Sequence, residues 1–185
     1  MKERPILFNG EMVRAVLDGR KTATRRVVEP QPEDVVRDND DMLRFGDSMG
    51  ALFYDICNTG WTCPYGAPGD RLCWTSPKPS IHMPRWASRI NLEVAGVRVE
   101  RVQEITEEDA KAEGAEPSDF SRIDPDADFL FDIYPIIERE NPYRTGFALL
   151  WDSINGKPRK DGTDISWAAN PWVWVVEFKR IEESV

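Results

Sequence analysis

The residues best suited to chemistry lie near the start of the chain, in the segment from Asp18 to Arg26. It reads Asp-Gly-Arg-Lys-Thr-Ala-Thr-Arg-Arg and so crowds four cations and two hydroxyls into nine residues. Such a segment is suited to binding an anion. The candidate ligand-binding residues are Gly19, Arg20, Lys21 and Arg26. Arg26 is the clearest of them, because a guanidinium grips phosphate through two donors at once and an ammonium does not.

The charge of this segment contrasts with that of the whole chain. Residues 1–28 hold seven Lys or Arg against three Asp or Glu, a net charge of +4, whereas the chain carries −9. A positive region on a negative molecule concentrates an anionic ligand at one place. A solvated basic turn is the competing interpretation.

A short helix must present this segment. Gly19 can adopt the left-handed conformation that ends a helix, and residues 22–28 then read as a strand. Alternation along a strand places Lys21 and Ala23 on one face and Thr22, Thr24 and Arg26 on the other. A bend near Gly19 would still bring Lys21 and Thr24 to one pocket. The residues that predict the helix share one face of it: Met12, Val13, Val16 and Leu17.

The remaining periodic segments predict an α+β fold. Strands are expected at Pro5–Phe8, Arg71–Thr75, Arg89–Val102 with a bulge at Gly96, and Trp172–Ile181. Helices are expected at Glu107–Glu113, capped by Thr106, and from Pro142 to about Asn155. Apolar runs at 43–45 and 52–54 suit a hairpin. This order predicts a mainly β barrel with helices packed at its ends, in one domain over 1–185 with insertions around 31–60 and 115–140.

Composition excludes several classes of function. With 31% charged residues and no apolar run near 20 residues, the chain has no predicted membrane span. Residues 1–5 lack the apolar region of a secretory signal, so a cytoplasmic location is expected. The overall acidity argues against tight, sequence-independent binding of duplex DNA, but not against a nucleotide or a single flipped base.

Neither a metal nor a cofactor is expected. Cys57, Cys63, Cys73 and His82 are spaced without a C-x-x-C pair, which favours buried thiols and a structural histidine over a zinc site. The glycine patterns that hold cofactor phosphates, G-x-G-x-x-G and G-x-x-x-x-G-K-[ST], are absent from the sequence.

Several motifs together resemble a known family. They are Gly19-x-Lys21-x-x-Thr24-x-Arg26 after a short helix, Pro68-Gly69-Asp70-Arg71-Leu72 before a strand, and the closing Trp174-Val175-Val176-Glu177-Phe178. In these the chain is similar to ASCH-domain proteins of the PUA-like superfamily. The runs 4–12 and 82–89 look like the bacteriophage and prophage branch of that family, which would place the protein in a bacterial host cell.

The resemblance implies a small β-barrel with a cleft for RNA, single-stranded nucleic acid or a modified nucleoside. In a group of ASCH proteins with the same motif, which remove acyl groups from N4-acylcytidine, the proposed catalytic set falls on Lys21, Thr24 and Glu113 of this chain. A lysine in a dry pocket can lose its charge and deprotonate a threonine hydroxyl, and a glutamate can pass the proton to the leaving amine. A ribonuclease activity is a further alternative.

Each of these residues also has a plainer interpretation. Lys21 would only hold a phosphate, Thr24 would serve the strand by its β-branched shape, and Glu113 would be a solvated carboxylate at a helix end. The segment with His82, Arg85 and Trp86 either borders the cleft, with Trp86 stacking on a base and Arg85 contacting an anion, or packs as a proline-rich crossover. Binding alone and hydrolysis of an acylated cytidine therefore both remain open.

Overall fold

The computed structural model describes residues 1–32, 34–37, 43–46, 52–53, 63–74, 90–118 and 140–181. In chain order the strands are β1 (Glu3–Ile6), β2 (Ala23–Val27), β3 (Asp34–Arg37), β4 (Leu43–Gly46), β5 (Leu52–Phe53), β6 (Arg71–Trp74), β7 (Asn91–Arg101) and β8 (Trp172–Arg180). The helices are α1 (Gly10–Leu17), α2 (Glu107–Ala112) and α3 (Pro142–Asn155), with a 3₁₀ turn at Val102–Glu104. The α+β class is confirmed.

Five of these strands form one mixed sheet in the order β1-β6-β7-β8-β2. Strand β1 runs parallel to β6, and the other pairs are antiparallel. The longest pair, β7 with β8, shifts register between Val94 and Gly96, as the bulge prediction requires. Strands β3, β4 and β5 form a separate antiparallel sheet, in which the pair β4 and β5 is the hairpin expected from the apolar runs 43–45 and 52–54.

The five-stranded sheet does not close into the barrel that we expected. Its edges are β1 and β2, and each pairs with one neighbour among the described strands. Pro5 of β1 has no N–H for a second ladder, which suits an edge strand. The Arg26 side chain connects the two edge strands. Its guanidinium donates a hydrogen bond from β2 to the carbonyl oxygen of Leu7, just after β1, at 2.6 Å.

Helices cover both faces of the sheet. One core packs α1 against the sheet through Val16, with Val176 and Phe178 of β8 beside it. The other packs α2 and α3 against Val173 and Val175. Neighbouring residues of a strand point to opposite faces, so β8 supplies both cores, and its residues 172–176 and Phe178 are buried.

The predicted helix boundaries hold well. Thr106 caps α2 by accepting a hydrogen bond from the Asp109 N–H at 3.1 Å, and Gly114 ends the helix at φ +75°. Helix α3 begins at Pro142 and ends at Asn155, as the apolar spacing indicates. Strand β1 lies two residues earlier than predicted, at Glu3–Ile6.

Candidate functional site

A sharp turn after α1 sets the position of Lys21. Gly19 has φ +74°, as predicted, and the N–H groups of Arg20 and Lys21 both donate to the carbonyl of Ala15, at 2.9 and 3.0 Å. The chain therefore folds back on the helix end. Lys21 forms an isolated β-bridge with Glu113, just past the end of α2.

Lys21 and Glu113 form a buried ion pair. The Lys21 ammonium donates to Oε2 of Glu113 and to its backbone carbonyl, both at 2.7 Å, and the lysine side chain is fully buried. Burial lowers the pKa of Lys21 below its ordinary value, while the charge and hydrogen bond of Glu113 act in the opposite direction. The Glu113 side chain is 5% exposed, so it is not a solvated carboxylate.

Thr24 follows Lys21 by three residues but makes no described hydrogen bond to this pair. It is 3% exposed and pairs with Val176 on β8, so it faces the core beneath α1. No hydrogen bond joins its hydroxyl to Lys21 or to any other residue that the structure describes.

A cleft runs along the free edge of β2 and has a volume of about 700 Å³. Because β2 ends the sheet, side chains from both of its faces reach this space, which we call the edge cleft. Glu113 lines it together with residues of α1 and α3, whereas Lys21 is absent from its described lining. Its other functional side chains are Thr24, Arg25, Arg26, Tyr65 and Arg159.

Arg26 is the cation best placed to meet an anion there. Its guanidinium lies 5.8 Å from the ring centre of Tyr65 and 5.9 Å from that of Phe8. Nε is buried without a hydrogen-bond partner, and no carboxylate in the described part of the chain pairs with this side chain. Arg159, by contrast, pairs with Glu29.

The sequence reasoning missed Arg25. Its side chain is fully buried on the opposite face of β2, where Nε donates to Glu100 at 2.9 Å and NH2 donates to Asp109 at 2.9 Å. NH1 reaches Oε1 of Glu113 at 3.4 Å. The one sequence pattern that bears on Arg25 is strand alternation, which places its side chain on the opposite face of β2 from that of Arg26. Its partners lie 75 to 88 positions away in sequence, so no local motif shows them.

Gly19 and Arg20 lie away from the edge cleft. Arg20 is about half exposed and pairs with Glu116 at 2.9 Å and with Asp18 at 3.5 Å. It lines a neighbouring cleft of about 420 Å³, which also contains Glu113. The structure thus separates Arg20 from Arg26, which the sequence had grouped in one site.

The predicted ligand-binding residues His82, Arg85 and Trp86 lie outside the described residues, as does Cys57. Cys63 is buried, which raises the pKa of its thiol, and Cys73 is half-buried. In the described ranges, no group of His, Cys, Asp and Glu side chains is arranged to hold a metal ion. No helix in those ranges is long and apolar enough to cross a membrane.

Comparison with known proteins gives two similar solved structures. One is the ASCH domain from Lactobacillus crispatus JV V101, with 12% identity and a TM-score of 0.40 over 97% of this chain and 79% of that one. The other is the hypothetical protein PH0355, with 12% identity and a TM-score of 0.38 over 98% of this chain and 100% of that one. No protein-family model and no curated protein matches the sequence.

Proposed function

We propose that the protein is an ASCH-type domain that binds a nucleobase in the edge cleft, as part of a nucleoside, a nucleotide or a short single strand. The motifs around Lys21, Thr24 and Arg26 support the family, and the phage-like runs 4–12 and 82–89 support a role in the cytoplasm of a bacterial host. The edge cleft supports the binding. Its volume falls within the range of small-molecule sites, and its lining combines apolar side chains with charged and polar ones.

One observation carries this proposal: Arg26 enters the edge cleft beside Tyr65 without a carboxylate partner in the described chain. A guanidinium in that position can bind one phosphate, and the half-buried Tyr65 offers a ring on which a base can stack. A ligand with one anionic group and one planar ring matches both features.

The first prediction compares cytidine 5′-monophosphate with cytidine by calorimetric titration. We expect the wild-type protein to bind the monophosphate about tenfold more tightly, since a hydrogen bond to a charged group is worth roughly 1.5 kcal/mol or more. Arg26→Met should abolish this preference. Arg159→Met is the matched control, because Arg159 lines the same cleft but is already paired with Glu29. An unchanged preference in Arg26→Met would refute the phosphate contact.

A second candidate function is hydrolysis of N4-acylcytidine, favoured by the buried pair of Lys21 with Glu113 and by Thr24, which lines the edge cleft together with Glu113. In its neutral form Lys21 would accept the Thr24 proton as Oγ attacks the acyl carbon. The proton would pass through Glu113, which lies 2.7 Å away, to the departing amine as the C–N bond breaks. Water would then release the acyl group from Thr24. Release of cytidine from N4-acetylcytidine is the reaction that tests this candidate.

A further inference from the structure

Glu113 is held from two sides. Its Oε2 accepts a hydrogen bond from Lys21 at 2.7 Å, and its Oε1 faces NH1 of Arg25 at 3.4 Å. The two cations approach from different parts of the fold: Lys21 from the turn after α1, and Arg25 from the middle of β2. A carboxylate with one cation at each oxygen cannot rotate without losing a partner.

Arg25 is itself fixed by other carboxylates. Glu100 of β7 accepts from Nε and NH2, and Asp109 of α2 accepts from NH2. The same two carboxylates bind Arg98, which also pairs with Glu177. Arg98 has no hydrogen bond or ion pair to Glu113 among its described contacts. Arg25 thus links this charged cluster to Glu113, and Arg98 belongs to the cluster without that link.

We propose that Arg25 is a positioning residue: by contacting Oε1 of Glu113 it fixes that carboxylate, shares it with Lys21, and limits how strongly Glu113 stabilises the Lys21 ammonium. The part of this inference that concerns ligand chemistry rests on the proposed function. The part that concerns Lys21 does not, since it follows from the packing of the two cations around one carboxylate.

The electrostatic consequence has a definite sign. The groups facing Lys21 are Glu113, the guanidinium groups of Arg25 and Arg26, and the ring of Phe8 at 5.8 Å. Both arginines lower the pKa of Lys21, and Glu113 raises it. Replacing Arg25 by an uncharged residue removes one cation from the surroundings of Lys21. It also leaves Lys21 as the only described cation in contact with Glu113. Both changes favour the ammonium form, so the pKa of Lys21 should rise.

The test is an NMR titration of the Lys21 ε-methylene group in lysine-labelled protein, with Lys21→Arg to assign the signal. Arg25→Met should move the Lys21 midpoint upward, whereas Arg98→Met should leave it near the wild-type value. Arg25→Met could fail to fold, because its carboxylate partners would lose their cation. In that case two double variants replace the single ones: Arg25→Met/Glu100→Gln and Arg98→Met/Glu100→Gln. The Glu100→Gln substitution neutralises one carboxylate in each. Equal midpoints in the Arg25 and Arg98 variants would overturn the inference.

A second measurement separates this inference from the function. If the wild-type protein releases cytidine from N4-acetylcytidine, the Arg25 variant should lose at least about tenfold in kcat with little change in KM, and Arg25→Lys should not restore it, because a lysine lacks the fork that spans Glu100 and Glu113. Restoration by Arg25→Lys would overturn positioning. If the wild-type protein has no turnover, the hydrolase proposal fails and the NMR titration alone decides the role of Arg25.

Discussion

Burying Lys21 is costly to the fold. Removing an ammonium ion from water costs several kcal/mol, and a single carboxylate partner repays this only in part, so buried ion pairs are poor evidence for stability. The pKa of Lys21 is lowered, because burial disfavours the ammonium more than Glu113 stabilises it. A perturbed lysine beside a cleft is a recognised mark of a functional site.

The sign of this shift gives the pH dependence of stability. Below its folded pKa, Lys21 is protonated in both states, and the full cost of burying the charge applies. Between that value and the ordinary 10.5, the unfolded chain binds more protons than the folded one, so the contribution of Lys21 to stability increases with pH. The neutral amine is also present at a lower pH than in a free lysine.

The hydrolase candidate makes a prediction at this scale. Thr24→Val keeps the shape of the side chain but removes the hydroxyl, and Lys21→Met removes the base; each should lower turnover of N4-acetylcytidine on the order of 100-fold or more. In the wild-type enzyme kcat/KM should rise with pH until Lys21 is neutral. Thr22→Val is the matched control, because Thr22 is exposed and lies outside the described lining of the edge cleft. Retained turnover in Thr24→Val would exclude Thr24 as the nucleophile.

At the scale of elements, the sequence predicted what depends on neighbours along the chain. The apolar spacing predicted α3, the capping residue Thr106 predicted the start of α2, and the alternation of apolar residues predicted β7 and β8. The sequence did not predict that the sheet is open. The pairing of β1 with β6 joins residues that are far apart in the chain, such as Glu3 and Arg71, and no local pattern indicates it. For the same reason Lys21 and Thr24 were found in a motif, while the ion pairs of Arg25 were not.

The ends of α1 and α2 give a prediction about packing. Gly19 and Gly114 have nearly the same backbone, with φ +74° and +75°. Alanine at either position should cost roughly 1 to 2 kcal/mol of backbone strain. A Cβ at Gly19 would meet open space, but at Gly114 it would lie 3.1 Å from the Cβ atoms of both Ala15 and Lys21. Gly114→Ala must therefore also displace one of them.

Urea denaturation of the two variants isolates this second effect. Gly114→Ala should lower the free energy of unfolding by about 1 kcal/mol more than Gly19→Ala does, the usual penalty for modest overpacking. It should also weaken the bridge between Lys21 and Glu113, whereas Gly19→Ala leaves that contact uncrowded. Equal destabilisation by the two substitutions would mean that the turn after α2 relaxes without pressing on Lys21.

At the scale of the whole molecule, three of the seven cations in residues 1–28 are paired with carboxylates of the described chain. Lys21 and Arg25 are paired with Glu100, Asp109 and Glu113, and Arg20 is paired as well. A count over residues 1–28 could not show this, since Glu100, Asp109 and Glu113 lie far along the chain, in β7, in α2 and just after α2. In the edge cleft Arg26 remains as a cation without a carboxylate partner in the described residues, on a protein of net charge −9.

This charge distribution predicts how binding of single-stranded nucleic acid depends on strand length and salt concentration. A basic groove binds longer strands more tightly and with steeper salt dependence, because each phosphate contact releases counterions. With one free cation in the described edge cleft, the logarithm of the binding constant should fall with the logarithm of salt concentration with a slope of about −0.7, the value for one phosphate of a single strand. We expect the same slope for oligocytidylates of two, four and eight nucleotides, measured by fluorescence anisotropy between 50 and 200 mM salt. Arg26→Met should bring the slope close to zero. A slope that steepens with length would show a surface that follows the nucleic-acid backbone beyond the edge cleft, and would replace the single-nucleotide proposal by one for a polymer.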